Sequence, residues 1–302
     1  MKTLCFGSLN LDNTYEIPHF VRAGETLQST AVRLAPGGKG FNQTVAFSRA
    51  GGRIEMAGNI GTDGTVLLDF LSATGVGTDR IRRLENIRTG HAIIQCTPDG
   101  QNCILLYEGA NGAVTGEQIR DSLKEFEPGD LLILQNEVNM LPEIMEEALS
   151  RGMRIAFNPS PFDETLNSLP LDEMEWLIVN ETEACGILGR NCPKSGTGMI
   201  RELGKRFRNR SVILTMGTQG SFCFHEDAVY EQSAFQVDTV DTTGAGDTYL
   251  GYFLFTYYST GNIPEAMRTA SAAAALAASK HGAAESIPVP EQVREFLSKG
   301  QK

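Results

Sequence analysis

Short apolar runs of strand length alternate along this chain with stretches of helical spacing, and that rhythm limits the possible folds more than any single motif. "TLCFG" (3–7) reads as a strand and "GFNQTVAFSRAG" (40–51) as a helix; "RIEMAGNIG" (53–61) is strand-like and "GTVLLDFLSATG" (64–75) helical. The pattern returns with "DLLILQ" (130–135), helical "LPEIMEEALSRG", then "RIAFNP" (154–159), "EWLIVN" (175–180) and "SVILTMG" (211–217), after which helices are expected to dominate. Parallel strands cannot be joined by tight turns and need a crossover, usually a helix. The alternation therefore predicts an α/β fold with a mostly parallel sheet covered on both faces. In such sheets ligands bind beyond the carboxyl ends of the strands. The polar clusters "GSLNLD", "NPSP", "NETE" and "MGTQG" each follow a strand.

Two stretches break the rhythm. Residues from about 12 to 36 carry scattered apolar positions without a helical stripe. Residues 89–107 are two strand-like arms around Pro98, Asp99 and Gly100, a hairpin signal. Both read as β excursions that form a small second layer, or lid, on one domain spanning 1–302. The Ala-rich "TASAAAALAASKHG" (269–282) reads as a closely packed helix.

A formal net charge of −11 speaks against a nucleic-acid or acidic-membrane partner. The N-terminus carries no signal-peptide pattern and no 18-residue apolar run occurs, so a cytoplasmic setting is expected. The six cysteines include no CxxC pair, and the chain is too large to be a disulfide scaffold; Cys5 and Cys223 read as core residues. The four histidines have no ligand spacing and read as surface or structural residues.

Against that negative background, "DTTGAGDT" (241–248) stands directly before the bulky helical run 249–258. A helix start presents unpaired N–H groups and the positive end of the peptide dipoles. Glycines let an anion approach that backbone. Asp247 sets a carboxylate beside a site suited to negative charge. The structural alternative is that Asp241 or Asp247 caps the helix and the glycines only make a turn.

Asn10 and Asp12, two apart in extended chain, point the same way and suit hydrogen bonding to neighbouring hydroxyls; an Asx-turn is the alternative. In "PGGKGFNQ", Gly37 and Gly38 permit close backbone approach and Asn42 sits one turn into a helix, or the glycines form a flexible turn. This stretch lacks Walker A spacing, "GSLN" is not GxGxxG, and no HExxH occurs. Asn180 and Glu183, at i and i+3, could hold a hydrated Mg²⁺ or form a capping box. A polyol pocket, an anion site, a carboxylate base and a Mg²⁺–water site together match phosphoryl transfer.

With these motifs assembled, the chain resembles the ribokinase-like (PfkB) family of carbohydrate kinases, most of all its ribose-phosphorylating branch. "GSLNLD", "PGGKGFNQ", "QNEVN", "FNPSP", "VNETEA", "TMGTQG", "VDTTGAGDT" and "KHGAAESIP" occur in family order nearly end to end. The resemblance implies a three-layer α/β/α fold with a β-sheet lid, a homodimer formed through the lid, ATP and Mg²⁺ as cofactors, and K⁺ as an activator. It implies Asp247 as the base and Gly244, Ala245 and Gly246 as an anion hole. Sugar contacts would come from Asn10, Asp12, Gly38, Lys39, Asn42 and Glu137. Asn180 and Glu183 would serve the Mg²⁺–phosphate region, Glu183 through water, and Thr215, Gly217 and Gly220 would lie near the nucleotide. Asp241, Thr243, Ala277, Lys280, Gly282 and Ser286 would hold the monovalent cation, several through carbonyls. From the residues alone, Asp241 either faces such a cation behind the turn or caps the turn with a lysine as its counter-charge.

The implied reaction is ATP-dependent phosphorylation of a primary hydroxyl, ribose to ribose 5-phosphate. Another sugar, a nucleoside or a sugar phosphate stays open as acceptor, as does a non-catalytic sugar-binding regulator. Arg22, Arg33 and His91 could supply cations for a second phosphate. Three positions depart from the family pattern: Phe41 for a small Ala, Tyr249 for Phe, and "NPSP" for "NPAP". Phe41 borders the sugar loop and leaves the identity of the sugar open.

Overall fold

In the computed structural model, which describes residues 1–99 and 101–299, the first apolar run forms β1 (Thr3–Phe6) within a nine-stranded sheet. The following strands are β2 (Asn10–Glu16), β3 (Ala31–Gly37), β4 (Glu55–Gly61), β5 (Gly77–Leu84), β6 (Gly90–Cys96) and β7 (Asn102–Tyr107). Then come β8 (Leu131–Gln135), β9 (Arg154–Asn158), β10 (Trp176–Asn180), β11 (Ser211–Thr215), β12 (Ser221–His225) and β13 (Ala228–Gln232). The helices are α1 (Lys39–Arg49), α2 (Thr65–Ala73), α3 (Gly116–Leu123), α4 (Leu141–Ser150), α5 (Glu181–Leu188), α6 (Gly196–Arg206), α7 (Ala245–Thr260), α8 (Ile263–Ala278) and α9 (Pro290–Lys299).

The large sheet runs β13-β12-β11-β10-β9-β8-β1-β4-β5 and is parallel from β11 to β5, as the alternation predicts. Its two edges differ from the sequence reading. β5, "GTDRIRRL", is an edge strand whose charges hide its type, since edges tolerate charge that central strands do not. At the other edge β12 and β13 form an antiparallel hairpin where helices were expected. Glu226 and Asp227 turn it at positive φ (49° and 62°), without the glycine that would have marked the turn.

Successive residues of β1 point to opposite faces. Cys5 enters a core shared by α1, α2, α7, α8 and α9; Leu4 and Phe6 enter one shared by α3 to α6. Helix–sheet–helix layering follows. Cys223 is buried as expected, and the Ala-rich segment forms α8, packed with Ala266, Ala270 and Ala273 fully buried. Cys185 and Cys192, which their spacing left unpaired, form a disulfide with Cα atoms 5.1 Å apart. Among the described residues no helix is long and apolar enough to cross a membrane.

The two irregular stretches make a second, four-stranded sheet, β3-β2-β6-β7. Its root sits at the large sheet, with Asn10 opposite Gly37 and Gly90. Gly100 of the expected turn lies outside the described residues; Thr97 N donates to the Gln101 carbonyl at 3.0 Å beside it.

One close packing brings distant motifs together. A Cβ on Gly251 of α7 would lie 2.5 Å from Ala46 and Phe47 of α1, so glycine permits the two helices to touch there. One turn earlier on each helix stand Asp247 and the pair Asn42 and Gln43 (residues i−4 on a helix share a face).

Candidate active site

The parallel strands end in polar side chains. Gln135 closes β8 and Asn158 closes β9 as register partners; Asn180 of β10 and Thr215 of β11 pair in the same way. Over this edge lies the start of α7. Between them opens a cleft of about 230 Å³ lined by Lys39, Asn158, Asn180, Glu183, Gly246 and Asp247, with Thr215 and Gly244 also in its wall.

Asp247 is only 8% exposed. Its partners are on α1: Asn42 Nδ2 donates to Oδ2 at 3.1 Å and Gln43 Nε2 to Oδ1 at 2.9 Å. The capping alternative therefore fails for Asp247, and the N-cap is Gly244 in a left-handed conformation (φ 74°). Burial pushes the Asp247 pKa up; the Lys39 ammonium and the amides of Gln43 and Asn42 oppose that shift without cancelling it. Ala245 N donates to the Thr242 carbonyl at 3.2 Å. A Cβ on Gly246 would meet nothing within 4 Å, so the space over the helix start is open.

The residues expected to meet hydroxyls converge beside Asp247. Buried Asn10 accepts from Asn111 Nδ2 at 2.7 Å. The Asp12 carboxylate lies where a side chain on Gly37 would have to be. Gly38, at φ 94°, turns the chain into α1. Lys39 N donates to Glu137 Oε2 at 3.0 Å, and Ser8 Oγ donates to the same oxygen at 2.5 Å. Burial, then the charges of Glu137 and Asp247, push the Asp12 pKa up to about 7. Burial also raises Glu137, although Lys39 and Ser8 pull it down. Burial alone would lower the Lys39 pKa, but Asp247, Glu137 and Glu183 raise it overall, so its ammonium is maintained.

Asn180 and Glu183 do form the capping box. Glu183 N donates to Asn180 Oδ1 at 3.0 Å, and Asn180 N to Glu183 Oε2 at 2.8 Å. Both still line the cleft, and burial raises the Glu183 pKa. Among the described residues no three His, Cys, Asp or Glu side chains cluster to hold a metal. A divalent ion in this cleft would therefore depend on water and ligand oxygens, a coordination that suits Mg²⁺.

Gly217 and Gly220 do not line the cleft. Gly220, at φ 94°, backs onto the Gln232 carbonyl and is needed for the turn into β12.

Behind the α7 turn, Asp241 meets the 277–286 segment as the sequence anticipated. Its Oδ1 accepts from Thr243 N and its Oδ2 from Gly282 N, each at 3.0 Å. Burial works against ionisation, but these donors and the Arg33 charge hold its pKa below the usual carboxylate range. Ala283 backs Gly244, the Ser286 hydroxyl donates to the Ala283 carbonyl at 2.8 Å, and Lys280 N donates to the Ala277 carbonyl at 3.1 Å.

Several site residues were not singled out from the sequence. Gln43 and Asn158 stood inside the quoted "GGKGFNQ" and "NPSP", so their position after a strand or loop was the available signal. Arg49 gave none: its Nη1 donates to the Ala284 carbonyl at 2.9 Å and the Ile287 carbonyl at 2.5 Å, more than 230 positions away. That contact holds the loop that backs Gly244. Phe41 is fully buried against Phe70, with ring centroids 5.5 Å apart, so its bulk is absorbed by the core. The Tyr249 hydroxyl donates to Ser221 Oγ at 2.8 Å. Arg22 N donates to Glu25 Oε2 at 3.0 Å, and the His91 ring packs 4.9 Å from Tyr107.

Residues 2–290 match the model of the family described as pfkB family carbohydrate kinase. The chain is 31% identical to a ribokinase of Haemophilus influenzae over 98% of each chain. The structure of a ribokinase from Cryptococcus neoformans in complex with ADP superposes with a TM-score of 0.87 at 33% identity, covering 97% of this chain and 98% of that one. An Arabidopsis thaliana ribokinase complexed with ribose and ATP gives a TM-score of 0.83 at 26% identity, covering 98% of both chains. A carboxylate at a glycine-rich helix start, a polar pocket beside it and this end-to-end likeness agree: the chain belongs to the pfkB family of carbohydrate kinases, phosphotransferases whose acceptor is an alcohol group.

Proposed function

We propose that this kinase transfers the γ-phosphoryl group of ATP to the primary hydroxyl of ribose, giving ribose 5-phosphate. The observation that carries the proposal is the Asp247 carboxylate, buried and held by α1 amides at the lip of the open space over Gly246. The relatives described as ribokinases, one of them complexed with ribose and ATP, support the same reading.

In this mechanism Asp247 accepts the hydroxyl proton as the sugar oxygen bonds to the γ-phosphorus and the bond to the ADP oxygen breaks. A carboxylate is a weak base, which suffices when the transition state is loose and the proton leaves late. Burial raises the basicity of this one. The Gly244 and Gly246 amides and the helix dipole stabilise negative charge on the transferring group, while the Ala245 amide of the expected anion hole serves the Thr242 carbonyl. Asn10, Asp12, Asn42 and Glu137, with Lys39 and the Gly38 backbone, hold the sugar hydroxyls. Polar side chains of this kind reject acceptors that leave them unpaired.

Asn180 and Glu183 would hold Mg²⁺ through water, and the ion would supply positive charge at the phosphates. Thr215, with Gly217 and Gly220 farther out, borders the nucleotide. Asp241, with oxygens of Thr243, Ala277, Lys280, Gly282 and Ser286, would hold K⁺, which would order the turn before α7; Asp241 and Gly282 already adjoin, and the carboxylate oxygens have lone pairs to spare. The four-stranded sheet acts as a lid that excludes water, and its apolar outer face pairs with a second copy. A sugar phosphate is a poorer acceptor in this reading, because the Asp12 and Glu137 carboxylates favour neutral hydroxyls.

The test is ADP release with ribose, 2-deoxyribose, hexoses, nucleosides and sugar phosphates as acceptors. The highest kcat/KM is expected for ribose. A far higher value for another class removes ribose, and no ADP release with any acceptor removes the kinase mechanism.

A further inference from the structure

Gln43 lies at the crossing of the site's hydrogen bonds, yet the phosphoryl-transfer scheme gives it no task. It is fully buried in α1. Its Nε2 donates to Asp247 Oδ1 at 2.9 Å and to Asn158 Oδ1 at 3.2 Å, while its Oε1 accepts from Gln135 Nε2 at 2.7 Å. All three amide positions are used by two strand ends and one carboxylate.

The amide's orientation follows from its neighbours. Asn158 Nδ2 must serve the Ile178 carbonyl, at 2.9 Å, so Asn158 Oδ1 faces Gln43. An oxygen there requires a donor, and Gln135 Nε2 on the other side requires an acceptor. Gln43 can meet both only with Nε2 toward Asn158 and Asp247. The Asn158 amide also reaches Glu183 Oε2 at 3.4 Å, so a single chain of amides links the carboxylate at the α7 start to the capping box of α5. Gln135 and Asn158 sit on adjacent parallel strands in register, which makes the brace as stiff as the sheet.

We propose that Gln43 is a positioning residue for phosphoryl transfer: braced by Gln135 and Asn158, its amide holds the Asp247 carboxylate in the one orientation that points a free lone pair at the acceptor hydroxyl. This rests on the reading of Asp247 as base. Asn42 holds the other oxygen, so losing Gln43 frees one end of the carboxylate and leaves it to rotate. A shift of about 1 Å in a catalytic group costs on the order of 10²-fold in rate. A partial release should cost about 10- to 100-fold in kcat and little in KM, because Gln43 is not in the set that holds the sugar hydroxyls or the nucleotide.

The experiment compares Gln43→Met, which keeps length and removes the hydrogen bonds, in wild-type and Asp247→Asn backgrounds, with ATP and ribose or the fastest acceptor of the panel above. Thermal melts check folding. The expected result is a kcat loss of about 10- to 100-fold in the wild-type background, near-constant KM values, and almost no further loss beside Asp247→Asn. A folded Gln43→Met with wild-type kcat overturns the proposal, and so does an equal fractional loss in both backgrounds. Full activity in Asp247→Asn alone removes the base reading instead, so the two failures are distinct. Should Gln43→Met unfold, Gln135→Met answers the question, since it leaves Gln43 in place and frees only its orientation. A lower kcat at constant KM then supports the brace, and an unchanged kcat overturns it.

Discussion

At the start of α7 a carboxylate is buried and both its oxygens are engaged; along β7 every residue is exposed, with Ile104, Leu105, Leu106 and Tyr107 each more than half open to solvent. One region has polar groups inside, the other apolar groups outside. Each departs from the usual partition of a globular protein. Burying the Asp247 carboxylate is tolerable because the Asn42 and Gln43 amides pair both its oxygens, and leaving it unpaired would be costly. The exposed apolar strand is an open edge, which proteins normally cover or charge. The carboxylate finds its partners within the chain, while the Asn42 and Gln135 amide oxygens beside it are buried without one, and the β7 side chains stay open to solvent. The contrast places the buried carboxylate in the α/β layers and an exposed apolar edge on the small sheet.

The largest effect should come from breaking the buried side of the comparison. Asp247→Asn should leave ATP and sugar binding largely intact while lowering kcat about 10²–10⁴-fold, measured by steady-state ADP release. Retention of most of the activity would falsify the base assignment.

A smaller effect is expected behind the turn. At fixed ionic strength, replacing K⁺ by a bulky organic cation should slow the wild-type reaction about 5-fold or more, and Asp241→Ala should lose that sensitivity. Equal initial rates in K⁺, Na⁺ and the organic cation would remove the cation from the scheme.

Asp12 sharpens the comparison, because it lies at the root of the small sheet yet shares the burial of the site. Its pKa rises from 3.8 to about 7 on folding, so the folded state holds the proton more tightly than the unfolded one. Its favourable contribution is present at low pH and is lost as pH rises through about 7. Asp12→Asn should therefore stabilise the ligand-free protein by roughly 1–3 kcal/mol near pH 8, with most of the gain gone by about pH 5. Denaturant melts at the two pH values measure it. A gain that grows toward low pH would contradict the burial of this carboxylate.

The smallest change in monomer stability is expected on β7. Leu105→Glu should move the folding free energy by no more than about 0.5 kcal/mol, since the side chain is 67% exposed. It should nevertheless convert a dimer to a monomer in light scattering. A wild-type protein that is already monomeric at all concentrations removes the covering copy from the proposal.

Much of the architecture was legible in the order of residues. The alternation of strand and helix patterns predicted the parallel sheet, because a crossover requirement acts on neighbouring segments. The glycine-rich turn and the capping box were readable because both are local: Gly244 to Gly246 open α7 within three positions, and Asn180 caps Glu183 at i+3. β5 and the β12–β13 hairpin were hidden, because edge strands carry charge and a positive-φ turn without glycine has no signature.

The sequence by itself determined which chemical groups this protein owns and which face of each element they occupy, since periodicity and turn chemistry act over a few residues. Only the tertiary structure decided which of those groups touch. Gln43 reaches Asp247 across more than 200 positions because Gly251 lets α7 press onto Ala46, and Arg49 grips the 284–287 loop at similar range. Such contacts depend on two helices meeting at one distance, and no local pattern in either helix encodes the presence of the other.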